Sequence, residues 1–107
     1  IKELFIVGGF NCYPAEIELI LCGMPGIARA AVIGVPDERL GEVARAYLVK
    51  DVVQGAQAGV DEAGVIAWAR DKMANYKVPR SVVFLDELPM NAGGKVDKAA
   101  LAALSAP

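Results

Sequence analysis

Apolar positions in this chain come in short runs, each ended by glycine, proline or acidic residues. Leu4 to Val7 and Phe10 to Tyr13 are two such runs, split by Gly8-Gly9, which is a two-residue hairpin signal. Pro14 follows at a place where a first helical residue tolerates proline. Glu16 and Glu18 fall in the first turns of the predicted helix, where negative charge complements its dipole. Ile17, Ile20 and Leu21 are spaced i, i+3, i+4 and define one apolar face. Gly23 to Gly26, with Pro25 inside, ends that helix.

The spacing then shifts to a period of two. Ile27 to Val35 is β-branched and alanine-rich, and Pro36-Asp37-Glu38 is expected to stop it. Glu42 to Val53 reads as a second strand, with Ala44, Ala46 and Leu48 alternating against Arg45, Tyr47 and Val49. The two runs are expected to pair antiparallel across the turn at 36–41. Gln54 to Val60 reads as a polar loop. Asp61 is a good N-cap, with Glu62 in the first turn behind it. Val65, Ile66, Ala69 and Met73 form that helix's core face, with Trp68 along its edge. Asn75 to Pro79 closes it, Ser81 to Leu85 is a further strand, and Asp97 to Leu104 is a terminal alanine- and leucine-rich helix. The order ββ-α-ββ-α-β-α predicts an α+β fold: a small, largely antiparallel sheet with an N-terminal β-hairpin and about three packed helices.

Composition narrows the class. A chain of 107 residues is one domain or a piece of a larger protein, and it buries enough surface for a modest core without staples. Hydrophobic residues make up 55% of it, which argues against disorder. The net charge of −2 and the scatter of its basic residues give no footprint for nucleic acid or for a polybasic membrane patch. Histidine is absent, which excludes a Ser-His or Cys-His nucleophile pair and any His-ligated metal within the chain. There is no threonine, and the only serines are Ser81 and Ser105. Cys12 and Cys22 do not make a CxxC pair, and both read as buried free thiols compatible with a reducing cytosol. No metal site is expected. No apolar run reaches the ~18 residues that span a bilayer. The chain opens at Ile1 directly into a strand-like run, which reads as a fragment cut from a longer protein.

One stretch carries candidate chemistry: Pro89-Met90-Asn91-Ala92-Gly93-Gly94-Lys95. Two adjacent glycines allow φ > 0 and close approach of backbone to a ligand. Lysine is cationic at neutral pH, since its unperturbed pKa is about 10.4. A flexible loop presenting one ammonium suits an anionic oxygen of a phosphate or carboxylate. A phosphate-binding P-loop is excluded, because that motif needs glycine where Pro89 stands and a hydroxyl residue where Val96 stands.

These stretches, taken in order, resemble the C-terminal domain of adenylate-forming enzymes: acyl-CoA synthetases, luciferases and the adenylation domains of peptide synthetases. The resemblance runs through Lys2-Glu3-Leu4, Gly8-Gly9-Phe10-Asn11, Tyr13-Pro14-Ala15-Glu16-Ile17-Glu18, Val35-Pro36-Asp37-Glu38, Gly41-Glu42, Tyr76-Lys77-Val78-Pro79-Arg80 and Leu88-Pro89 through Gly94-Lys95. It implies a mobile domain, residues 1–107, of a larger enzyme whose N-terminal AMP-binding domain lies outside this chain. It also implies a two-step reaction using ATP with Mg²⁺ and CoA, bound mainly with that N-terminal domain. A carboxylic acid attacks ATP to give an acyl-adenylate, and a thiol then displaces AMP.

Residue by residue, Lys95 matches the lysine that enters the site during adenylation, with Gly94 in its loop. Gly8, Gly9 and Phe10 match a loop lining the pantetheine tunnel. Val78, Pro79 and Arg80 match a segment meeting the CoA nucleotide, with Arg70 and Lys77 as lesser phosphate candidates. Lys2 is similar to the family's hinge residue, although the Asp-Arg that normally precedes it is not in the chain. Val96-Asp97-Lys98 looks more like the peptide-synthetase branch, whereas Gly8 through Glu16 looks like acyl-CoA synthetases. The longer match favours a cytoplasmic acid–CoA ligase acting on fatty or related acids. An adenylation domain that loads a carrier protein, or a non-catalytic α+β binding module, stand as the alternatives.

Overall fold

In a computed structural model the described residues are 3–51 and 60–104. Lys2, the end of the long second strand at Val52-Val53, and the loop beginning at Gln54 lie outside them. The element order is β1 (Phe5–Val7), β2 (Phe10–Cys12), α1 (Pro14–Leu21), β3 (Ile27–Asp37), β4 (Gly41–Lys50), α2 (Glu62–Arg70), β5 (Ser81–Phe84) and α3 (Lys98–Leu104), with a 3₁₀ turn at Asn75–Lys77. This is the predicted α+β order.

β4 is the axis of the sheet. β3 runs antiparallel along one of its edges, from Ile27↔Lys50 to Asp37↔Gly41. The other edge is shared: β1 meets it at Val7↔Gly41, and β5 pairs with it in parallel from Arg45↔Ser81 to Leu48↔Phe84. β2 completes the hairpin on β1, with Phe5↔Cys12 and Val7↔Phe10 in register. The parallel β4–β5 pair was not anticipated, and it follows from the crossover through α2, since parallel neighbours need a long connection.

Alternation along β4 is as expected, but both faces are covered. Ala44, Ala46 and Leu48 join Ile17 and Leu21 of α1 and Val65 and Ala69 of α2 in one core. Tyr47, fully buried, packs with Ala31, Leu88 and Leu101 on the opposite face, beneath α3. The alanine-rich α3 thus has a definite structural role, because its single buried leucine closes the second face.

Two expectations are corrected. β3 continues through Pro36 and Asp37 instead of stopping at Val35. It is an edge strand, where a residue lacking an N–H leaves the ladder intact, and Asp37 Oδ2 then accepts from Arg39 N at 3.1 Å and Leu40 N at 2.9 Å to make the turn. Cys12 is buried as expected, but Cys22 is exposed. Cys22 caps α1 one residue beyond the buried Leu21, which rotates it about 100° off the apolar stripe.

The Asp61 cap is as expected, while Asp97, expected as the first residue of the last helix, instead caps it. Asp61 accepts from Gly64 N at 2.7 Å, and Asp97 from Ala100 N at 3.0 Å.

Candidate functional site

Lys95 sits on a turn closed on itself, in place of the flexible loop expected. Met90 pairs with Val96 across it. Asn91 N donates to the Lys95 carbonyl at 2.8 Å, and Asp97 N to the Pro89 carbonyl at 2.8 Å. Inside the turn, Asn91 Oδ1 accepts from Gly93 N at 2.9 Å and from Lys95 N at 3.1 Å. A short amide side chain thus replaces a backbone acceptor and fixes the loop from within. Of the two glycines, only Gly94 has positive φ, at 79°.

The turn forms one wall of a groove of about 940 Å³, whose other walls come from Glu3, from α1 and its cap (Tyr13, Ala15, Glu16, Glu18) and from Arg29 of β3. Its charges fall into pairs. Glu16 is taken by an ion pair with Lys77. Lys98 is taken by Glu18 at 2.7 Å and Glu3 at 3.2 Å. Lys95 and Arg29 remain, and among the described residues neither has a carboxylate at ion-pair distance. Arg29 Nη2 donates to Met90 Sδ at 3.8 Å, which brings it against the turn. The groove's unpaired charges are therefore both positive, and they fit an anionic oxygen group. Arg29 was not anticipated: it stands in an apolar strand and reads as a surface charge. An irregularity in the β3–β4 register between Ile27 and Arg29 marks its position.

The residues expected on the CoA side fall in two places, the β1–β2 turn and the Val78-Pro79-Arg80 segment, and the turn residues do not line the recess that the segment forms. Gly8 and Gly9 have φ of 55° and 90°, the left-handed pair that a tight hairpin requires. Gly8 N donates to the Leu40 carbonyl at 2.9 Å, and a Cβ on Gly8 would meet Leu40 Cδ2 at 3.1 Å, whereas Gly9 faces open space. Phe10 is 57% exposed and stacks on Tyr76 with ring centroids 4.5 Å apart. Lys77, next to it, donates to Glu16, and this hydrogen bond raises the ammonium's pKa above its ordinary 10.5. Lys77 is therefore already engaged by a carboxylate.

In the Val78-Pro79-Arg80 segment, the first two residues are buried and Arg80 is exposed. Arg80 N donates to the Ala44 carbonyl at 2.9 Å, which fixes the segment beside β4. With Arg39 and Arg70, Arg80 lines a recess of about 320 Å³. Among the described residues, none of these three guanidiniums is ion-paired. Arg39, from the β3–β4 turn, is brought there by the fold and had no sequence signal. No residue lines both the groove and this recess.

The chain belongs to the AMP-binding enzyme C-terminal domain family, whose pattern it matches over residues 16–95. It is 58% identical over 98 residues to a 3-[(3aS,4S,7aS)-7a-methyl-1,5-dioxo-octahydro-1H-inden-4-yl]propanoyl:CoA ligase of Mycobacterium tuberculosis, a match covering 92% of this chain and 18% of that protein. It is 42% identical over 101 residues to the long-chain-fatty-acid–CoA ligase FadD13 of the same species, covering 94% of this chain and 19% of the relative. Among solved structures, apo MatB from Rhodopseudomonas palustris superposes with a TM-score of 0.85 at 45% identity, over 96% of this chain and 20% of MatB. The chain thus spans about a fifth of the length of the proteins it matches.

Proposed function

We propose that residues 1–107 are the mobile C-terminal domain of an ATP-dependent acid–CoA ligase. In this reading a carboxylate attacks the α-phosphorus of ATP, releasing pyrophosphate and forming an acyl-adenylate. The CoA thiol then attacks the acyl carbon and releases AMP. The observation that carries the reading is the pairing of charges in the groove, which leaves Lys95 and Arg29 uncompensated while every other charge there has a partner. Lys95 offsets the repulsion between the carboxylate and the phosphate oxygens and stabilises charge in the adenylation transition state. Arg29 adds a second positive charge beside it.

The thiol step uses a different face. Gly8 and Gly9 give the pantetheine arm a thin wall, because the backbone there carries no side chains. Arg80, with Arg39 and Arg70, receives the phosphates of CoA. The separate lining of the two regions supports a domain that turns between half-reactions. ATP and its Mg²⁺ are held mainly by an upstream AMP-binding domain, which is also this domain's partner. The acid is a fatty or related carboxylic acid, a class supported by the CoA ligases among the relatives. The enzyme works in the cytoplasm; no described helix is long and apolar enough to cross a membrane.

The test is Lys95→Ala in the intact enzyme. Pyrophosphate release from acid and ATP is expected to fall about 10²- to 10³-fold, as when a transition-state charge partner is removed. Acyl-CoA formation from supplied acyl-adenylate and CoA is expected to persist. Survival of both half-reactions would remove Lys95 from the site.

A further inference from the structure

The ammonium of Lys98 has three acceptors around it: Glu18 Oε2 at 2.7 Å, the Val32 carbonyl at 2.7 Å and Glu3 Oε1 at 3.2 Å. A lysine has three donors, so all of them are used. The same Glu18 oxygen accepts the Val32 N–H at 2.8 Å. The peptide groups of Val32 on the outer edge of β3 are thus gripped by one ion pair, and α1, β3 and the segment leading into β1 converge on one nitrogen.

That nitrogen belongs to the first residue of α3, three positions after Lys95. Between them, Val96 pairs with Met90, and Asp97 N donates to the Pro89 carbonyl. Upstream, the turn is anchored by the buried Leu88. Downstream, its anchors are Leu101 in the core and the Lys98 ammonium. Leu101 lies a helical turn away, so Lys98 is the nearer of the two. Lys98, Glu18 and Glu3 also line the groove into which Lys95 is set.

We propose that Lys98 is the positioning residue for Lys95: its three-way contact fixes the Lys95 turn against the floor of the groove, so that the Lys95 ammonium meets its anionic partner in register. This rests on the reading of Lys95 given above. The physical reason is that the Lys95 side chain is exposed and unpaired, so only its backbone can define where the charge is offered. Removing the Lys98 charge is expected to leave the fold in place, because the burial of Leu101 and the Val32 N–H bond to Glu18 do not depend on it. It frees the turn to shift, and a misplacement of about 1 Å can cost on the order of a hundredfold in rate.

The experiment compares Lys98→Met, which keeps the aliphatic stem, with Lys98→Arg, which keeps the charge, in the intact enzyme. Lys98→Met is expected to lower kcat for pyrophosphate release about tenfold or more, with the KM for ATP near wild type and transfer from supplied acyl-adenylate unchanged. Lys98→Arg should recover most of the loss. Should Lys98→Met fail to accumulate, Glu18→Gln withdraws the charge while keeping an acceptor for Val32, and the same selective loss is expected, smaller in size. An equal fall in both half-reactions, or no fall in either, would overturn the inference, the first by showing a structural role alone. A wild-type enzyme that forms no acyl-adenylate would instead sink the functional reading, and the positioning role with it.

Discussion

Glu62 Oε2 accepts the Val82 N–H at 2.9 Å, so the free edge of β5 is closed by a glutamate from α2. Glu18 does the same for Val32 on β3 at 2.8 Å. Two of the sheet's outer strands, β3 and β5, therefore have an N–H covered by a helix-borne carboxylate, which blunts them as templates for pairing with another chain. Glu62→Ala leaves the Val82 donor without that acceptor. We expect the chain to lose about 1–3 kcal/mol, the range for a buried donor left without its partner. Glu62→Gln, which keeps an acceptor, should cost less. Urea titration of the two variants side by side checks the order, and equal midpoints would contradict it.

The two glycines before Lys95 should respond differently to the same substitution. Gly94 has φ of 79°, where an alanine is strained by about 1–2 kcal/mol. Gly93 lacks positive φ, and a Cβ there meets only Asn91 Oδ1, at 3.4 Å. Gly94→Ala is expected to slow pyrophosphate release from acid and ATP, because strain relief moves the Lys95 backbone. Gly93→Ala should stay near wild type. Steady-state rates of the two variants in the intact enzyme decide this, and equal slowing would show that the Asn91-centred bonds, not the Gly94 conformation, hold the turn.

Local signals in the sequence were reliable where one residue's chemistry decides the structure. The Gly8-Gly9 hairpin, Pro14 at the start of α1, and the Asp61 cap all depend on such signals, whereas Asp97 was read as the first residue of α3 and caps it instead. Alternation along β4 was also legible, but not that Tyr47 would be as buried as Ala46, since that depends on where α3 comes to rest. The same distance from local pattern hid the parallel seat of β5 and the gathering of Arg39 with Arg70 and Arg80. Of the residues lining the groove, Lys95 stood out in the sequence through Gly94-Lys95, whereas Arg29 and Lys98 did not. Their significance is set by which carboxylates lie within reach, and Glu18 is 80 positions from Lys98.

Gly34 in β3 is required for space, not for conformation. A Cβ built on it would lie 2.7 Å from Phe5 Cβ and Cγ and 3.0 Å from Glu42 Oε2. Phe5 is 5% exposed and belongs to the main core, so the ring has little room to retreat. Gly34→Ala should destabilise the chain by about 1–3 kcal/mol through overpacking. Shrinking the opposing side chain in Gly34→Ala/Phe5→Leu should return part of that loss. A double variant no more stable than the sum of the two singles would indicate that the clash is absorbed elsewhere.

The two cysteines offer a pH-dependent readout of the fold. Burial raises the thiol pKa of Cys12 above 9.0, against an opposing pull from Lys77. Partial burial does the same for Cys22, against a hydrogen bond from the Ala30 backbone. Each thiol is therefore held neutral by folding to a higher pH than in the unfolded chain. Their contribution to stability is fully present below about 9 and is lost as pH rises through the raised values. Reaction of the native protein with a thiol reagent requires the thiolate, so Cys22, the exposed one, should label with a rate still rising above pH 9. Cys12, with no exposed surface, should label only on unfolding. Counting thiols before and after denaturant is expected to give one and then two, and Cys22→Ser should abolish the native reaction. Fast native labelling of Cys22→Ser would mean that Cys12 is reached through opening of the β1–β2 hairpin, the element whose glycine turn is proposed above to meet CoA.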